Sequence, residues 1–170
     1  MLIAFVIALA PWLQLDAVVV ERGRVGTVAI GTFAETVYQE FGDRARLIDL
    51  KLEGHLSPAL EIKLSGSQTG ASLIAEIVPS NNRLVVSRIN VLDARLRTKQ
   101  GIGIGSTYAD LRSAYSIDRV GSGEGNFFAR VDALAMSFQL DLSGLPGTQV
   151  TRDPARVPNE ARVVGILLTR

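Results

Sequence analysis

The sequence predicts an α+β fold of two tandem repeats, each a helix packed on an antiparallel β-meander. Three observations predict it. The stretch "AIGTFAETVYQEFGD" (29–43) aligns with "GIGSTYADLRSAYSI" (103–117), setting Ile30-Gly31-Thr32 on Ile104-Gly105-Ser106, Val37 on Leu111 and Phe41 on Tyr115, an offset of 74 from Gly31 to Gly105. The same offset carries Ala59-Leu60-x-Ile62-x-Leu64 onto Ala133-Leu134-x-Met136-x-Phe138. After the first helical stretch the apolar period changes from 3.6 to 2, the mark of a helix followed by half-buried strands. A repeat of this length reads as a duplicated half-domain. It divides the chain into 1–17, a first repeat over 18–96 and a second over 97–170.

Residues 1–17 contain an apolar run, Leu2 to Ala10, too short to span a bilayer, which takes about 20 residues. The run has the length of a signal-peptide core, and Ala8-Leu9-Ala10 supplies small residues where a signal peptidase cuts, although no Lys or Arg precedes Arg22. The segment is therefore expected to be an export signal or, failing that, an N-terminal strand. Each repeat then opens on Ile-Gly followed by a hydroxyl residue. Thr32 with Glu35, and Thr107 with Asp110, have the spacing that caps a helix start. Phe33, Val37 and Phe41, and in the second copy Tyr108, Leu111 and Tyr115, form the inward stripes. Ile48, Leu50 and Leu52, then Leu60, Ile62 and Leu64, alternate with polar residues as antiparallel strands do. "LIAEIVPSNNRLVVSRINV" reads as a hairpin turning at Pro79-Ser80-Asn81-Asn82, because Asn tolerates positive φ. In the second half, Leu134 to Leu142 predicts one strand and "ARVVGILLT" a last one.

Composition narrows the function. The chain is 47% hydrophobic and 21% charged, with 18 Lys and Arg against 17 Asp and Glu mixed along its length. No basic face is available for nucleic acid. The absence of cysteine excludes disulfides, thiolate zinc sites and a thiol nucleophile, and the single His55 excludes multi-histidine metal centres. No catalytic, cofactor or metal-binding set is predicted, and no stable transmembrane anchor.

The candidates for chemistry each have a structural reading beside them. "TKQGIGIGSTYADL" (98–111) places Gly101, Gly103 and Gly105 ahead of a helix, as a phosphate loop does. The spacing is not G-x-G-x-x-G, and the matching "VAIGTF" of the first repeat lacks the first two glycines, so a helix-start turn is the reading adopted. "GSGEG" (121–125) precedes a strand and reads as a hairpin loop. His55, two residues after Glu53, is a conceivable general base, and with carboxylates it carries the alternative of a small hydrolase or isomerase; Asp141 with Asp153 is a further carboxylate pair, whose proximity depends on the fold. Finally "SGLPGTQVTRDPARVPNEA" (143–161) is far longer than the corresponding connection "SGSQTGAS" of the first repeat. Long loops in compact domains often carry function. Its exposed charges Arg152, Asp153, Arg156 and Glu160 are the predicted partner contacts, and the core is expected to be complete without it.

"ERGRVGTVAIGTFAETVYQEFG" (21–42) resembles the glycine-punctuated helix start of uncharacterised exported bacterial proteins with tandem repeats of the SmpA/OmlA outer-membrane-assembly type or the β-lactamase-inhibitor type. The resemblance implies a periplasmic or secreted binding protein rather than an enzyme. It covers about 20 residues of each half, and without cysteine it brings neither a lipid anchor nor the disulfides of secreted inhibitors. The expected function is thus a non-enzymatic, exported binding or interaction protein whose partner is a protein or envelope component, with a cytoplasmic location as the alternative.

Overall fold

The computed structural model describes residues 18–52, 54–67, 70–123, 125–145 and 152–170. The expected export segment, Glu53 beside His55 and the centre of the long loop (146–151) lie outside the described residues. Three short strands, β1 (Val19–Glu21), β2 (Arg24–Val25) and β3 (Val28–Ala29), lead into helix α1 (Ala34–Phe41). Strands β4 (Ala45–Leu52), β5 (His55–Ile62), β6 (Leu73–Ser80) and β7 (Arg83–Val91) follow. After β8 (Arg97–Thr98) come helix α2 (Tyr108–Ala114) and strands β9 (Arg119–Gly123), β10 (Asn126–Val131), β11 (Met136–Asp141) and β12 (Arg162–Leu168).

The strands form two sheets of unequal size. The smaller has the order β3-β2-β1-β8, with β1 parallel to β8; the larger has eight strands in the order β4-β5-β6-β7-β12-β11-β10-β9. Every neighbouring pair in the larger sheet is antiparallel, and the two halves of the chain are sewn together at β7–β12, where Val91 pairs with Ile166 and Ile89 with Leu168. The sheet buries one face. Leu60, Ala75, Ile89, Leu168, Met136 and Val131 follow one another across six strands by their pairing, and all belong to the core. Val37 and Phe41 of α1, Tyr108 and Leu111 of α2, and Val20, Val25 and Val28 of the small sheet complete that cluster. Helices and small sheet therefore form the layer that covers one side of the large sheet.

This corrects the predicted fold class. Strand makes up 48% of the described residues and helix only 17%, so the protein is mostly β and is not a pair of α+β helix-on-meander repeats. The helices have eight and seven residues, and the strands of both halves join one continuous sheet in place of two separate ones. The strand match at an offset of 74 also fails: Ala59 to Ile62 lie in β5, whereas Ala133 and Leu134 lie in a 3₁₀ turn and Met136 and Phe138 in β11. Period-2 alternation records that one face of a strand is buried, and it leaves open which strands are paired.

Candidate functional site

Around Gly101 to Ser106 the backbone turns inward. The amide of Gly101 donates to the Thr98 carbonyl (2.8 Å), that of Gly105 to Val163 (2.8 Å), that of Ser106 to Gly103 (3.0 Å) and that of Gly103 to the Ser106 hydroxyl (3.1 Å). The Arg97 guanidinium donates to the carbonyls of Gly101 (3.1 Å) and Ile104 (3.3 Å) and to Ser106 Oγ (3.2 Å). A phosphate loop needs free, convergent amides; these already have acceptors, in the turn itself and, for Gly105, in β12. Gly103 is required by contact, since a Cβ there would lie 2.7 Å from the Leu96 carbonyl oxygen. At the start of α2, Thr107 and Asp110 form the reciprocal cap read from the sequence: the Asp110 amide donates to Thr107 Oγ1 (3.1 Å) and the Thr107 amide to Asp110 Oδ2 (2.8 Å). The Thr107 amide and then its hydroxyl, which also donates to Asp110 Oδ2 (2.8 Å), hold the Asp110 carboxyl below the usual carboxylate range. Between loop and helix lies a shallow groove of about 900 Å³, lined by Arg97, Gln100, Ser106, Asp110 and Ser113 among others.

His55 is exposed at the start of β5, opposite Leu52 in the pairing, and among the described residues it forms no ion pair. Asp141 accepts from the Ser143 amide (2.8 Å) and Asp153 from the Ala155 amide (2.9 Å). Each carboxylate accepts from the backbone of its own turn, far along the chain from His55. Among the described residues no three His, Asp or Glu side chains are placed to hold a metal ion.

The four predicted contact residues Arg152, Asp153, Arg156 and Glu160 are all exposed, with Arg156 paired to Asp153 at 3.7 Å. Their backbone, however, is part of the fold. The fully buried Tyr108 donates its hydroxyl to the Pro154 carbonyl (2.9 Å) and its amide to Ala161 (2.7 Å), while the Ala109 amide donates to Asn159 (3.1 Å). Val157 and Ala161 are buried in the core. The expectation that the core is complete without this loop is overturned: residues 154–161 hold the start of α2.

The largest feature that sequence reasoning missed is the other face of the eight-stranded sheet. Reading across the pairing from β4, Arg46, Glu61, Ile74 and Asn90 lie in one row, continued by Leu167, Ser137, Arg130 and Arg119 to the far edge. None of the eight is buried. No described helix or strand covers this face, and the charges along that row already have partners. Glu76, almost fully buried, accepts from Arg88 (2.8 Å) and Asn90 (3.1 Å); Arg46 meets Glu61 (3.0 Å); Arg130 meets Asp132 (2.8 Å). Between these pairs stand half-exposed Ile48, Leu50, Ile74, Leu167 and Phe128, with Val78 and Phe33 more open. The Arg83 guanidinium stacks 3.2 Å over the Phe33 ring and pairs with Glu35. In the β9–β12 half, Phe128 lies flat along Gly123, whose added Cβ would come within 3.3 Å of the ring, beside a hollow of about 180 Å³. The signal for this face was present as Gly121, Gly123 and Gly165, which stand where outward side chains would otherwise rise.

No protein-family model matches the chain, and no curated protein matches it. Among solved structures it is similar to the crystal structure of the uncharacterized protein yfeY from Escherichia coli, with a TM-score of 0.61 and 20% identity over 89% of this chain and 99% of that one. That likeness shows a shared fold. Among the described residues no helix is long and apolar enough to cross a membrane.

Proposed function

We propose that the protein is a non-enzymatic binding protein that receives its partner on the uncovered face of the eight-stranded sheet. The observation that carries this reading is the row of unburied residues spanning all eight strands, with apolar side chains set among charges that already have partners. Burying neutralised pairs avoids the large cost of desolvating lone charges, and the half-exposed leucine, isoleucine and phenylalanine side chains supply the apolar area that association needs. A protein or envelope component is the partner class that suits a broad, shallow, mixed surface. Arg152, Asp153, Arg156 and Glu160 form a second contact on the α2 side, and the apolar run Leu2–Ala10 is the basis for placing the protein in the periplasm or outside the cell.

A photo-crosslinking amino acid placed at Leu50 or at Phe128, in cells of the native host, tests the reading. A discrete crosslinked adduct that disappears when a neighbouring face residue is charged (Ile48→Glu or Leu167→Glu) is the expected result. Adducts that form equally well from Glu40, exposed on α1 in the layer on the opposite side of the sheet, would reject it.

A further inference from the structure

At one margin of the large sheet stands β4, eight residues without Pro or Gly, and no described strand pairs with its outer edge. The opposite margin, β9, is five residues long and contains Gly121 and Gly123. A long, regular, unprotected edge presents a row of free amide and carbonyl groups. Two charged residues of β4, Asp49 and Lys51, are exposed on the core-side face beyond the reach of α1, and neither has an ion-pair partner among the described residues. Their strand neighbours are Pro58 and Leu56, and Leu56 and Leu47 are 70% and 62% exposed although they stand on the face that elsewhere is core.

We propose that β4 pairs antiparallel with β4 of a second copy of this chain, about a two-fold axis through Leu50. Such an axis, normal to the sheet, keeps each face continuous, so opposed residues must share a face. Any register centred on a residue meets that condition, so the side chains that it opposes must decide among them. Centred on Ile48, the pairing sets Arg46 against Leu50 and Asp49 against Leu47; centred on Asp49 or on Lys51 it sets like charges against each other. Centred on Leu50, it sets Leu50 against itself and Asp49 against Lys51 twice, once on either side of the axis. The row on the core-side face then reads Pro58, Asp49, Lys51 of the second copy, Leu56 of the second copy, and its mirror. Opposite charges directly across a strand pair stabilise it and like charges oppose it, so the edge selects one register from its own sequence. The product is a closed dimer whose large sheet is twice as wide.

Sedimentation velocity from micromolar to millimolar protein tests this, with four chains: wild type, Asp49→Lys, Lys51→Asp and the swap carrying both. Both positions are exposed, so the variants keep the fold, which circular dichroism verifies. The wild type should show a reversible monomer–dimer equilibrium. Each single reversal creates two like-charge pairs at the axis and should weaken the dimer about tenfold or more, and the swap should restore it. Amide hydrogen exchange in β4 should slow as concentration rises. A wild type monomeric throughout the range, single variants that dimerise as well as wild type, or a swap that fails to recover would each overturn the proposal.

Discussion

Asp93 closes the end of β7 by accepting from the amide (3.0 Å) and the guanidinium of Arg95 (2.6 Å) and from the hydroxyl of the fully buried Ser72 (3.0 Å), which itself accepts from the Leu64 amide (3.1 Å). The Arg95 guanidinium is the main reason its carboxyl is held down to about 2, against an ordinary 3.8; the Arg95 amide and the Ser72 hydroxyl add to it against the opposing effect of burial. A depressed carboxyl stabilises the fold above its unfolded value and loses that contribution as pH falls through the folded one. Wild-type stability should therefore drop between pH 3.8 and about 2 by on the order of 1–2 kcal/mol more than that of Asp93→Asn, in urea titrations at stepped pH. Tyr108 offers a second test at this scale. Tyr108→Phe keeps the buried ring and removes only the bond to Pro154, so it should cost about 1 kcal/mol with an unchanged urea m-value.

Among the elements, the connection into β12 is the one whose role changed between sequence and structure. Replacing Leu145–Asn159 by a short Gly-Ser link removes Val157 from the core and two backbone acceptors from Tyr108 and Ala109, so the protein should lose about 3 kcal/mol or more, read as a fall in Tm. Arg152→Ala with Arg156→Ala changes exposed side chains only and should shift stability by less than about 0.5 kcal/mol. Local signals were legible where the physics is local. The Thr107–Asp110 cap is present, and of the expected turn Pro79 to Asn82 the last two residues make it, with the positive φ (49° and 62°) that a two-residue hairpin needs, whereas Pro79 and Ser80 belong to β6. The same cap pattern misled at α1, which starts one residue later than Thr32–Glu35 requires: its N-cap is Phe33, whose ring has no acceptor, and Glu35 pairs with Arg83. Phe33 itself, expected in the core, is an exposed ring under that arginine. Sheet order, the β7–β12 seam and the uncovered face depend on pairings between distant residues, and alternation within a strand is the same for any of them.

At the scale of the molecule, the core runs without interruption from Val20 through the seam to Leu168 and draws on both halves of the chain. Neither half can open without exposing apolar surface of the other. Calorimetry should accordingly show one transition with a van't Hoff enthalpy equal to the calorimetric one; two resolved transitions would mean that the halves unfold separately.

The width of the large sheet also limits what shape of partner can use it. Each step between neighbouring strands turns the chain direction by about 20–25°, always in the same sense. Carried from β4 to β9 at that rate, the rotation exceeds a right angle, so the uncovered face is expected to form a propeller-like ramp whose two ends look in different directions. A flat, rigid body laid against one end loses contact with the other. A compact partner should therefore report from Leu50 or from Phe128 but not from both, whereas an extended chain that follows the ramp should report from each.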